Sequence, residues 1–324
     1  MLFLPLETYF TWFHKYMLKN GKLRGKNRFR CSSCFYQWVE KRGKRINYSK
    51  AYKHWLLGRR TLAEICNDLD VSYPKLNKEF DRFDMSEGLQ NKALQDMNQP
   101  INLLIDATFF GREFGFLVFH DCQKVIYLKE IKTESIRDFK EGIRAIKQAN
   151  IGIQSITIDG KRGYINNIKK LLGNIPVQMC LFHQKAIIRR YITDNPQSLC
   201  GKDLKDLMNL LCKPEFHQEF IDRFYFLKEK YYFYLQQRNE LGDYKFKNLR
   251  SSFRSIETNL PLLFTYSDFE NLKIPSTNNQ LEGLFSHVKE RIKMHRGLDQ
   301  NRKKKAVKFL LKNLGGNKIK KTQK

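Results

Sequence analysis

Three acidic residues stand where an acid is costly unless something answers its charge. Asp106 follows the apolar run Ile101-Asn102-Leu103-Leu104-Ile105, Asp159 follows Ile153-Gln154-Ser155-Ile156-Thr157-Ile158, and Glu282 opens the amphipathic stretch from Gln280 to Lys289. A carboxylate at the end of a buried strand needs a cation, a donor or solvent to meet it. Two strand-end acids and one helical acid make a hard-oxygen ligand set, which suits Mg2+ (or Mn2+). A pair of such ions roughly 4 Å apart is the chemistry of phosphodiester cleavage. Each acid alone has an ordinary reading, since a strand-end Asp forms turns and a first-turn Glu answers the helix dipole. Crowded together, they raise one another's pKa and call for a cation.

The pattern around these acids predicts the elements that carry them. Ile101 to Asp106 reads as a strand buried on both faces and ending in its carboxylate. Phe114 to His120 and Lys124 to Ile131 read as two more strands, so 101–131 is expected to form an antiparallel meander. Ser135 to Asn150 is an amphipathic helix with Ile136, Phe139, Ile143 and Ile146 on one side. The strand ending at Asp159 follows, then a helix through Ile165, Ile168, Leu171 and Leu172, then the strand Ile175 to Met179. Three strands, then helix, strand, helix, strand, is the order of the RNase H fold. The expected class is therefore α/β, an RNase H-like mixed sheet. If its first and fourth strands pair, Asp106 and Asp159 become neighbours.

Cys180-Leu181-Phe182-His183 opens a helix running to about Thr193. Residues 200–270 show helical stretches and no strand pattern, an all-helical insertion dividing the core into 101–199 and 271–300. In the last part Leu281, Leu284, Phe285, Val288 and Ile292 make one apolar stripe, and Glu282 lies beside it in the first turn. Residues 301–324, rich in lysine, read as a basic tail that ends in disorder.

Ahead of the core, 85–100 reads as a linker and 47–84 as helices. Ser72 and Pro74 mark a helix start, Leu76 and Phe80 point inward, and Lys75, Lys78 and Arg82 occupy other positions. Helix, tight turn and basic second helix suggest a helix-turn-helix that binds DNA, although any small three-helix module has the same periodicity. Within 1–46, basic residues, two glycines and Cys31-Ser32-Ser33-Cys34 read as half a zinc ribbon. Structural Zn2+ needs four ligands, and only His14 lies upstream, so Cys31 and Cys34 form an incomplete site. The alternative fate of the pair is a small turn packed by Phe29, Phe35 and Trp38 without metal.

Lys and Arg number 60 against 33 Asp and Glu, a net charge of +27. That excess points to a polyanionic partner. No run approaches the roughly 18 apolar residues of a spanning helix, so no membrane partner is expected. Seven unevenly spread cysteines fit a reducing compartment, and the expected location is cytoplasmic, with the nucleoid.

Taken with their order, Ile105-Asp106-Ala107-Thr108, Ile158-Asp159-Gly160, Cys180-Leu181-Phe182-His183-Gln184 and Ser276-Thr277-Asn278-Asn279-Gln280-Leu281-Glu282-Gly283 resemble a bacterial insertion-sequence transposase of the Mutator-like DDE group. The resemblance spans nearly the whole chain. It implies that Asp106, Asp159 and Glu282 are the catalytic, Mg2+-binding triad and that Cys180 and His183 lie beside the active site. It implies that Lys289, Arg291, Lys293 and Arg296 face DNA. It implies further that the chain acts as a homo-oligomer on transposon ends and target DNA. Two rivals are a DNA-binding regulator that no longer cuts and an RNase H-fold nuclease without strand transfer.

Overall fold

The computed structural model describes residues 17–39, 46–58, 60–83, 88–89 and 99–315; His14 and most of the 85–100 segment lie outside them. The chain divides into two compact units, one of the residues up to Trp55 with Arg60–Phe80, the other of Leu56–Arg59 with Asp81 onward.

In the first unit, β1 (Met17–Leu23), β2 (Lys26–Cys31) and β3 (Gln37–Val39) form an antiparallel sheet in that order. Leu23 pairs with Lys26, so Arg24 and Gly25 make a two-residue turn at φ of 50° and 78°. A turn of this hand matches the strand twist, and glycine adopts it without a steric penalty. Cys31 and Cys34 lie at the β2–β3 connection, where Cys31 donates its N–H to the Tyr36 carbonyl (2.9 Å). Phe29 and Trp38 are register partners and stack 5.9 Å apart. Phe35 does not join them as expected. Its backbone turns to φ 57°, and the ring is exposed with the Arg30 guanidinium over it, 4.5 Å away.

Three helices follow: α1 (Tyr48–Leu57), α2 (Leu62–Leu69) and α3 (Tyr73–Asp81). Thr61 and Glu64 close a capping box at the start of α2, and Asp70, at φ 53°, ends it. A left-handed residue here turns the chain sharply into α3. Tyr52 and Trp55 of α1 meet Phe80 of α3 at ring distances of 5.0 and 5.5 Å. Ile65 and Leu76 are buried, the latter as its helical spacing required.

The second unit is a mixed α/β structure. β5 (Ile101–Phe110), β6 (Phe114–His120) and β7 (Val125–Ile131) form the expected antiparallel meander. β8 (Ile153–Ile158) adds in parallel to β5, and β9 (Val177–Met179) adds in parallel to β8. β4 (Gly88–Leu89) pairs with β7, giving the order β4-β7-β6-β5-β8-β9. The 85–100 segment is therefore not linker throughout. The first strand also differs from expectation, because β5 continues four residues past Asp106. Its parallel partner stops at Leu104↔Thr157 while its antiparallel partner runs on to Phe110↔Phe114. Asp106 thus sits where one edge of β5 becomes free, not where the strand ends.

α4 (Ile136–Gln148) and α5 (Arg162–Leu172) cover one face of this sheet. Phe139, Ile143, Ile146, Tyr164 and Ile168 share a core there with Leu103, Ile105, Leu117, Phe119 and Ile156. A Cβ at Gly142 would lie 2.3 Å from the Phe119 ring, so glycine sets how closely α4 approaches. Residues on a strand alternate between faces, which puts Leu104 and Asp106 on the opposite side from Leu103 and Ile105.

α6 (Leu181–Ile192) follows β9, and the 200–270 segment is helical as expected: α7 (Leu199–Leu210), α8 (His217–Lys230), α9 (Tyr232–Gln236), α10 (Lys247–Leu263) and α11 (Thr265–Asp268). Leu204, Leu207, Phe220, Phe224, Phe253 and Ile256 lie in their common core. The end of α10 also covers the edge of β9. The Gln178 side chain donates to the Leu263 carbonyl (2.8 Å), and Thr265 Oγ1 donates to the Val177 carbonyl (2.9 Å). Such bonds satisfy polar groups that an open sheet edge would leave unpaired.

α12 (Asn279–Met294) packs against β5, and α13 (Gln300–Leu314) packs against β7 and α12. The expectation of a basic tail from residue 301 is corrected as far as Leu314 by α13, and residues 316–324 lie outside the described residues. Asp299 caps this helix, and Ala306, Val307, Leu310 and Leu311 are buried. The apolar face was hidden among lysines whose charge is spent locally: Lys304 and Lys308 both pair with Glu130, at 2.6 and 3.4 Å.

Candidate active site

Asp106 is half-buried on the sheet face opposite α4, and its Oδ1 accepts the Ala107 N–H at 2.8 Å. Asp159 is the first residue after β8. Its Oδ1 accepts the Lys161 N–H (3.2 Å) across Gly160, which has φ 81°. The parallel pairing of β5 and β8 brings these two strand segments side by side.

Glu282 reaches the same face through a segment stitched to the sheet by side chains. The Asn102 side chain donates to the Leu272 and Lys273 carbonyls at 2.9 and 3.1 Å, and Ser155 Oγ donates to Asn102 Oδ1 at 2.6 Å. Thr157 Oγ1 donates to the Pro275 carbonyl (2.8 Å), and the Leu181 N–H donates to the Ser276 carbonyl (3.1 Å). Asn278, fully buried, then donates through Nδ2 to the Ile105 carbonyl (3.3 Å) and through its backbone N–H to Cys180 Sγ (3.2 Å). One turn later α12 presents Glu282, whose side chain is 44% exposed.

Asp159 and Glu282 stand near enough for their charges to act on Asp106, but the three carboxylates do not form a group of ligand atoms within 4.8 Å of one another. Burial pushes the Asp106 carboxyl up to about 7, and the negative charges of Asp159 and Glu282 push in the same direction. The His183 cation and the Ala107 N–H oppose that rise. A hard-oxygen set around a carboxylate that resists ionisation fits a divalent cation such as Mg2+ or Mn2+.

Cys180 stands between β9 and α6, as the N-cap of α6, and His183 lies in the first turn of α6. His183 Nδ1 is 3.8 Å from Glu282 Oε1. The adjacent Cys180 sulfur raises the imidazole to about 9, helped by the charges of Asp106 and Asp159 and opposed by burial. The ring is therefore a cation at neutral pH.

Beyond the acids, the β5–β6 turn and the C-terminal end of α12 enclose a groove of about 510 Å3. Lys289, Lys293 and Arg296, expected to face DNA, line it together with His295, Lys303, Phe109 and Phe110. Arg291 does not. It is half-buried, with Nη1 enclosed and without a hydrogen-bond partner. Lys75 and Lys78 are exposed on α3, and Arg82 is exposed just after it. Cys31 is buried and Cys34 exposed, and among the described residues neither belongs to a cluster of three metal-ligating groups.

Two positioning residues were missed in the sequence. Asn102 interrupts an apolar run, and a polar residue inside a buried strand must bond to something, which was the available signal. Asn278 stood inside a quoted motif with no role given to it. Its partners are 98 and 173 residues away, so spacing held no clue.

No family model matches the chain, and no curated protein matches it. Among solved structures it is similar to a Drosophila P element transposase strand transfer complex, at 9% identity and a TM-score of 0.49, over 84% of this chain and 93% of that one. Among the described residues no helix is long and apolar enough to cross a membrane.

Proposed function

We propose that the chain is a metal-dependent DNA transposase of the Mutator-like DDE group found in bacterial insertion sequences, with an RNase H-like core. The observation that carries this reading is that Asp159, just after β8, and Glu282, on α12, stand near enough to Asp106 of β5 for their charges to act on its carboxyl. Asp106, Asp159 and Glu282 would hold Mg2+ (or Mn2+), which supplies Lewis acidity and an activated water at the scissile phosphate. His183, cationic at the N-terminus of α6, donates to a phosphate oxygen, where the helix end also favours an anion. Lys289, Lys293 and Arg296 hold the DNA backbone along the groove at the C-terminal end of α12.

Lys75, Lys78 and Arg82 serve recognition of transposon ends, in the manner of a helix-turn-helix whose second helix is α3. In this reading the chain works as a homo-oligomer on DNA, in the cytoplasm and with the nucleoid. Zinc at Cys31 and Cys34 is not part of the proposal.

Linear DNA bearing the terminal repeats of the element, incubated with the protein and Mg2+, tests the reading. Cleavage at the ends followed by joining to target DNA is expected. Cleavage without joining would assign a nuclease, and binding without cleavage a regulator.

A further inference from the structure

Cys180, His183 and Glu282 each bring one potential ligand atom into a single small cluster. The thiol sulfur, an imidazole nitrogen and a carboxylate oxygen all lie within 4.8 Å of one another, and His183 Nδ1 is 3.8 Å from Glu282 Oε1. Ligands about 2.0–2.3 Å from a tetrahedral ion are themselves roughly 3.3–3.8 Å apart, so this spacing is close to that of a coordination sphere. The donor types are wrong for Mg2+, which takes hard oxygens, and right for an ion that accepts sulfur and imidazole.

We propose that Cys180, His183 and Glu282 form a binding site for a zinc-class divalent cation, with a fourth position open to water. Two further features fit that use. His183 Nδ1 is buried without a hydrogen-bond partner, and the polar groups beside the ring are Cys180 and Glu282 themselves. Cys180 Sγ accepts the Asn278 N–H, the kind of outer bond that stabilises a coordinating thiolate. On binding, the Cys180 thiol and the His183 ring each release a proton to solvent as metal–sulfur and metal–nitrogen bonds form, so affinity falls as the solution is acidified.

The site shares Glu282 with the hard-oxygen set. A zinc-class ion held by Cys180 and His183 therefore draws Glu282 away from Asp106 and Asp159. It opposes whatever chemistry those three acids support. The inference does not depend on DNA cleavage and stands whether or not the chain cuts.

Co2+ is the probe, added to the full chain carrying Cys31→Ser and Cys34→Ser so that the other close cysteine pair cannot contribute. One Co2+ per chain is expected, with a thiolate-to-cobalt charge-transfer band and the intense visible bands of a tetrahedral ion, both displaced by Zn2+. Cys180→Ser should abolish the charge-transfer band. His183→Ala and Glu282→Gln should each weaken cobalt binding by at least about tenfold, while Asp159→Asn leaves the spectrum in place. A charge-transfer band that survives Cys180→Ser, or none with Co2+ in excess, overturns the proposal. Should Cys180→Ser fail to fold, His183→Ala decides alone, and unchanged cobalt affinity overturns it.

Discussion

The backbone N–H of Asn278 donates to the sulfur of Cys180 across 3.2 Å, although 98 residues and the whole helical insertion separate them. Through this bond the start of α12 is tied to the end of β9, and the Asn278 side chain ties it also to β5, one residue before Asp106. The segments of Asp106 and Glu282 therefore meet at one buried asparagine, and the segment of Asp159 joins them through Cys180, whose N–H donates to the Ile158 carbonyl (2.8 Å).

Asn278→Ala should lower stability by roughly 1–3 kcal/mol, because it leaves the buried Ile105 carbonyl without its donor. Urea denaturation measures this. A change under about 0.5 kcal/mol, the size expected of a surface substitution, would show that the bond is not what holds the segment.

The metal-free protein should lose stability as pH rises. The Asp106 carboxyl is raised from 3.8 to about 7, so between those values the native state keeps a proton that the unfolded chain has lost. Its contribution, on the order of 4 kcal/mol, is present at low pH and is lost as pH rises through 7. His183, raised from 6.5 to about 9, acts with the same sign: its contribution is full below 6.5 and disappears as pH passes 9. Asp106→Asn should therefore match the wild type near pH 4 and exceed it near pH 8 when both are studied in chelator. Mg2+ should stabilise the wild type and not the variant. A stability difference independent of pH would contradict the burial of this carboxyl.

Replacing Lys289, Lys293 and Arg296 together with Ala should weaken DNA binding to all sequences alike. The dependence of log K on log salt should become shallower by about 3, one for each phosphate contact removed. Arg291→Ala should change that slope far less, since its guanidinium is partly enclosed in the protein. Fluorescence anisotropy across a salt series compares the two, and equal slopes would remove the groove from the DNA path.

Lys75→Ala, Lys78→Ala and Arg82→Ala together should lower the preference for element ends over random DNA. If affinity drops equally on both, these side chains touch only phosphates and the ends are read elsewhere.

Much of this architecture was legible in the sequence because it is periodic. The apolar runs before Asp106 and Asp159, and the stripe Ile136, Phe139, Ile143, Ile146, located strands and helix without help from long-range contacts. The expected adjacency of the first and fourth strands is present as β5 against β8. What could not be read depends on partners far away in the chain. The freeing of one edge of β5 at Asp106 is set by where β8 stops, and the order of α13 is set by Glu130 and the sheet beneath it. The third ligand-like neighbour of Cys180 and His183 was equally hidden, because Glu282 lies about a hundred residues downstream of both.

Mg2+-dependent cleavage by the wild type beside Asp106→Asn, Asp159→Asn and Glu282→Gln tests the central claim most directly. The three acids act as one unit. Each single substitution should therefore abolish cleavage of end-bearing DNA, while binding in the absence of metal stays within about twofold of wild type, a difference on the order of 0.4 kcal/mol. Cleavage that persists in any one of the three, above all in Glu282→Gln, would contradict the assignment of Asp106, Asp159 and Glu282 to a common metal site.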